Sequence, residues 1–166
     1  MSPPKQAPSV IVQRGVRAGH VPRDSEFRRW AEAALDGSPH PFEVTIRVVG
    51  AAESRRLNAR YRDTDHATNV LSFSCELPEA VQAGIERRSG HRPLGDLVIC
   101  APRVLAEARQ QGKDVPSHWA HLTVHGILHL LGHDHEQAGQ AVKMEKLEAG
   151  ILARLGIPDP YTPACG

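Results

Sequence analysis

Apolar residues recur in this chain with two periods, and the switches between them mark out nine predicted elements. Met1 to Ser9 reads as a loose tail. Val10, Ile11 and Val12 then form an unbroken apolar run, the mark of a short buried strand. Asp24 or Ser25 is placed to cap a helix running to about Leu35, with Phe27, Trp30, Ala31 and Ala34 on one face. Gly37, Ser38, Pro39 and Pro41 predict a turn. From Phe42 to Val49 apolar and polar positions alternate, which predicts a strand. Helical spacing returns from about Ala52 to Arg62, with Leu57 and Tyr61 on one side and Arg55, Asn58 and Arg62 on the other. Val70 to Phe73 reads as a strand. Glu79 to Pro93, with Gly84, Gly90 and a cluster of arginines, reads as an exposed loop, and Leu94 to Cys100 as a buried strand. Pro102 opens a helix through Ala108 that Gly112 ends, and Pro116 and Ser117 open one that runs to Leu131. A last helix, about Glu136 to Leu155, sets Met144, Leu147, Ile151 and Leu155 on one face, and Gly156 closes it. This order predicts an α+β fold: one domain over 1–166, with a small mixed sheet of about four strands covered by about five helices.

Composition changes that picture little. With 166 residues, 40% hydrophobic and 23% charged, the chain suits one ordinary globular domain. Aromatics are only 4%, so the core must rest on aliphatic residues. A formal net charge of +1 leaves any nucleic-acid contact to a local patch. Cys75, Cys100 and Cys165 are widely spaced and odd in number, which suggests free thiols in a reducing compartment. Met1 to Arg14 lacks the apolar stretch of a secretory signal, and no run reaches the length of a membrane helix. The expectation is a cytoplasmic protein without membrane contact.

The ten histidines do change it, because six of them (His118, His121, His125, His129, His133 and His135) fall in one short stretch. Residues four apart on a helix are surface neighbours, so His125 and His129 can aim at one ion. Gly132 can take the left-handed conformation that ends a helix and turns the chain, which lets His135 supply a third imidazole. Three imidazoles with no cysteine nearby leave a position for water; they suit one zinc ion first, and also nickel or another transition metal such as iron or copper. The spacing is that of the metzincin peptidases, but those carry a Glu base directly after the first His, and this chain has Gly126 there. His133 is a candidate fourth ligand or neighbour of the site. Asp96 and Asp134 are candidates for the general base, with orienting a ligand imidazole or capping a helix as the alternatives for each. His118 and His121 continue the stripe and read as satisfied histidines, not ligands.

Three further segments carry a resemblance. Asn58-Ala59-Arg60-Tyr61-Arg62 with Asp65 and Thr68-Asn69-Val70-Leu71-Ser72-Phe73, then Leu94-Gly95-Asp96-Leu97-Val98-Ile99-Cys100, then His125 to His135 resemble signatures of the bacterial YbeY family. Met144 to Gly156 is similar to that family's last helix, and the likeness runs from about Phe42 to Tyr161. It implies a single-strand-specific, metal-dependent endoribonuclease of ribosomal RNA maturation (the 3′ end of 16S RNA) and ribosome quality control. Ribosomal RNA, the ribosome or its proteins are the implied partners, with no DNA specificity. It implies His125, His129 and His135 as metal ligands and Arg62 as a functional arginine. Ala67 and Ser74 stand where that family commonly has proline.

Chemistry agrees with that implication. Phosphodiester hydrolysis needs a nucleophile, charge neutralisation at phosphorus and protonation of the leaving oxygen; a metal serves the first two, and the planar fork of Arg62 suits two phosphate oxygens. Arg55, Arg60, Arg87, Arg88 and Arg92 are weaker candidates for following an RNA backbone. Two other readings stand beside it: another zinc metallohydrolase, and a non-catalytic ribosome-associated protein with a structural metal.

Overall fold

The computed structural model describes residues 6–60, 69–133 and 138–161, and the backbone alone of residues 61 and 62. The four strands form one mixed sheet: β1 (Ser9–Arg14), β2 (Phe42–Val49), β3 (Val70–Ser74) and β4 (Arg92–Cys100), in the spatial order β1-β2-β4-β3. β1, β2 and β4 run parallel, and β3 lies antiparallel to β4 at one edge. Among the described residues six helices join them: α1 (Asp24–Ala34), α2 (Ala51–Arg62), α3 (Glu79–Ser89), α4 (Ala101–Gln110), α5 (Val115–Leu130) and α6 (Ala138–Arg154).

The predicted strands and five predicted helices are present with small shifts of their ends. The exception is the expected loop from Glu79 to Pro93, which is the helix α3. Gly90 closes α3 at φ 86°, a left-handed C-terminal cap that glycine adopts without a Cβ penalty. The arginines there belong to a helix end and a strand start, not to a loop.

One face of the sheet carries the main core. Val44, Ile46, Val48, Leu94, Leu97 and Ile99 meet Phe27, Trp30 and Ala31 of α1 and the apolar faces of α5 and α6. The other face carries a smaller cluster, in which Val49, Leu71, Val98 and Cys100 pack with Leu57 and Phe73. Cys75 and Cys100 are free thiols.

A β-bulge decides which side chains of β4 reach which face. Between Glu43 and Val44 the register of β2 against β4 shifts, so that Leu94 is the extra residue. Leu94 and Leu97, three apart, therefore both enter the main core. Gly95 makes this possible: its φ is +151°, and a Cβ there would collide with the Phe73 carbonyl oxygen.

α5 is the central helix. From 118 to 130 only His121, His125 and His129 reach solvent even partly, and every other residue is buried. Asp114 caps the helix start by accepting from the Ser117 amide at 3.2 Å. The last turn ends as the sequence predicts. Gly132 takes φ 99°, its amide donates to the His129 carbonyl, and the His133 amide donates to that of Leu128. These two bonds make a Schellman motif, which turns the chain out of the helix.

Candidate metal centre

The four-residue spacing of α5 makes a histidine stripe along its single open face. The Nε2 atoms of His125 and His129 lie 3.1 Å apart, their rings close to perpendicular at 78°. Two imidazole nitrogens bound at about 2.0–2.1 Å to one tetrahedral zinc would sit roughly 3.3 Å apart, so the pair fits a shared ion without rearrangement. His135 and Asp134 lie outside the described residues, as does the Arg62 side chain. His133 is half-buried directly after the Gly132 turn.

Behind the stripe stands a residue that sequence reasoning missed. Glu148 of α6 is fully buried, and three donors converge on it. The His125 Nδ1–H donates to Oε1, while Oε2 accepts from the His121 Nε2–H at 3.0 Å and from the Tyr161 hydroxyl. Burial alone would push the Glu148 carboxyl up; the bonds from His121, His125 and Tyr161 override it and lower it to about 2. Burial raises the Tyr161 hydroxyl, and its hydrogen bond to the charged Glu148 adds to the rise. His121, His125 and Glu148 together bring ligand-type atoms within 4.8 Å of one another, a group that could itself hold a metal ion. A signal for Glu148 existed in the sequence: it lies four residues after Met144 and four before Leu152, in phase with the buried positions of α6. A charge in that phase must be paired. The predicted stripe placed Leu147 there instead, and Leu147 is 38% exposed.

The stripe continues to His118. This ring is buried, donates from Nε2 to Glu107 at 3.0 Å, and is held toward the neutral form by burial against the opposing pull of Glu107. Glu107 also accepts from the Asn69 amide at 3.1 Å, so the residue just before β3 is tied to α4 and α5.

Asp96 does not join the histidines. Downstream of the bulge, Leu97 and Ile99 point toward α5, and Asp96 points to the opposite face of the sheet, into a cleft with Thr45, Arg47 and Phe73. Burial raises its carboxyl and a hydrogen bond with Thr45 opposes the rise. Gly126, at the position of the metzincin base, faces the sheet. A Cβ there would come within 2.7 Å of Leu97 Cδ2, and the Ser72 hydroxyl donates to the Gly126 carbonyl at 3.3 Å.

The arginines divide. Arg55, Arg60, Arg87 and Arg88 are exposed. Arg92, expected on an exposed loop, is 5% exposed. Its guanidinium pairs with Glu79, donates to the His40 ring at 2.9 Å and lies 4.0 Å from Glu86. It anchors α3 to the sheet and is not available to an RNA backbone.

The profile of the family described as Endoribonuclease YbeY matches residues 17–156. This chain belongs to the YbeY endoribonuclease family. Relatives called Endoribonuclease YbeY include one from Stenotrophomonas maltophilia, 54% identical over 145 residues that make up 87% of each chain. Another, from Nitrosococcus oceani, is 48% identical over 92% of this chain and 96% of its own. The solution structure of TM1509 from Thermotoga maritima shares the fold, with a TM-score of 0.56, at 21% identity over 95% of this chain and 99% of that one. The YbeY profile thus takes in both the α5 stripe and Glu148. Among the described residues no helix is long and apolar enough to cross a membrane.

Proposed function

We propose that this YbeY chain is a metal-dependent endoribonuclease that cuts single-stranded RNA in the cytoplasm, acting in ribosomal RNA maturation and ribosome quality control. Its partners are then ribosomal RNA and the ribosome or its proteins. The observation that carries the metal dependence is the 3.1 Å approach of His125 Nε2 and His129 Nε2 on the open face of a buried helix. His135, past the Gly132 turn, is the proposed third ligand, and zinc is the proposed ion, with nickel fitting the same donors.

Bound there, the ion supplies a Lewis acid and lowers the pKa of coordinated water. The rest falls to the chain itself. The imidazoles of His125 and His129 would hold the ion at the partly open face of α5, where an unpaired RNA strand could approach. Arg62 is proposed to grip phosphate oxygens through its fork. Arg55, Arg60, Arg87 and Arg88 add salt-sensitive contacts with the backbone.

Peptidase chemistry is disfavoured by Gly126. The position that carries a peptidase's Glu base is packed against Leu97 and Val70 in the core, where a longer side chain has no room.

Arg62→Glu tests the arginine. Cleavage of a single-stranded RNA oligonucleotide should fall by at least tenfold while bound zinc, measured by atomic absorption, stays at the wild-type level. Wild-type cleavage in that variant would remove Arg62 from the mechanism.

A further inference from the structure

The histidine stripe offers an ion two places, and both use His125. One lies at Nε2, shared with His129. The other lies at Nδ1, shared with His121 and Glu148. A neutral imidazole has one N–H and one lone pair, so the two uses exclude each other in a neutral ring.

The hydrogen bonds choose between them. Both oxygens of Glu148 are occupied: Oε1 by the His125 Nδ1–H, and Oε2 by the His121 Nε2–H and the Tyr161 O–H. A buried carboxylate with three donors is fully compensated. An ion among His121, His125 and Glu148 would have to displace those donors. His121 fits the same assignment: its Nδ1 is buried without a hydrogen-bond partner, and its Nε2 faces the carboxylate. With Nδ1 of His125 committed to Glu148, the lone pair on Nε2 points at His129.

We propose that Glu148 is the positioning residue of the metal centre: it fixes the tautomer and ring plane of His125, while His121 and Tyr161 hold the carboxylate in place. The proposal rests on reading His125 and His129 as ligands. It joins two helices and the segment that follows them in one device, since α5 carries His125 and His129, α6 the carboxylate, and the segment after α6 the Tyr161 hydroxyl. Metal-binding histidines commonly give their second N–H to a carboxylate, and loss of that partner costs about 10- to 100-fold in metal affinity.

The test is zinc affinity, measured by competition with a chromogenic chelator, together with ion stoichiometry and the absorption bands of cobalt-loaded protein. Glu148→Gln should still bind one ion per chain with the cobalt bands of the wild type, at an affinity lower by about 10- to 100-fold. Tyr161→Phe should weaken binding less and in the same direction, and it carries the test if Glu148→Gln does not fold. His121→Phe should keep the ion, and His129→Ala should lose it. Wild-type affinity in both Glu148→Gln and Tyr161→Phe overturns the proposal, with the ligand reading intact. An ion lost in His121→Phe and kept in His129→Ala overturns it in favour of the His121, His125 and Glu148 site. A wild-type chain that takes up no zinc or cobalt overturns the ligand reading itself.

Discussion

The side chain that Gly126 lacks sets how closely α5 approaches β4. A Cβ at that position would lie 2.7 and 3.1 Å from the two Cδ atoms of Leu97, which is itself fully buried, so its end would have to shift within the packed core. Overpacking of this kind costs about 1–3 kcal/mol. Alanine would recover about 1 kcal/mol of helix propensity. Gly126→Ala should therefore lose on the order of 1 kcal/mol net in urea unfolding; a gain in stability would contradict the packing account. At this scale His125 and His129 were legible, because the i, i+4 rule needs only the helix. Of Glu148 only the buried phase was legible, and the placing of Asp96 was not. Glu148 meets His125 across 23 residues of chain, and no local spacing encodes that contact. Asp96 looks close to the histidines only if β4 alternates without a break, and the bulge at Leu94 and Gly95 turns it to the far face.

Helix α3 shows what a composition reading loses at the scale of elements. Gly84 within the segment and Gly90 at its end suggest loop, and helix propensity agrees, since an internal glycine costs about 1 kcal/mol. Tertiary contact overrides this. Arg92 at the start of β4 is buried between Glu79 and Glu86, which lie seven residues apart on the same side of α3. Arg92→Ala should destabilise the fold by about 1–2 kcal/mol, because it removes a buried side chain's packing together with its bonds to Glu79 and His40. Arg87→Ala, at an exposed position, should stay within about 0.5 kcal/mol of the wild type. Thermal melting of the two variants checks the contrast, and equal melting would contradict the anchoring role. Where α4 meets α5, the buried His118 gives a pH dependence. Burial lowers its pKa despite Glu107, so folding favours the neutral ring. That contribution is complete above the unfolded value of about 6.5 and is lost as pH falls below it toward the lowered folded value. The wild type should lose more stability between pH 7 and 5 than His118→Gln, by melting at each pH; parallel curves would contradict this.

The molecule as a whole is a sheet whose main core is covered by a helix buried on every side but one, and the open side carries the histidines. The α+β class, the four strands and the helix that ends at Gly132 were legible, because period, turn residues and caps are local properties. Strand order, the bulge and the α6 carboxylate required the folded chain. The proposed RNA cleavage depends on a metal held by the His125 and His129 pair. That dependence is tested most directly by following a labelled single-stranded RNA with zinc-loaded wild type, with chelator-treated wild type and with His129→Ala. Cleavage should appear with the zinc-loaded wild type, vanish on chelation and be absent from His129→Ala. Undiminished cleavage by folded His129→Ala in the presence of chelator would contradict the account.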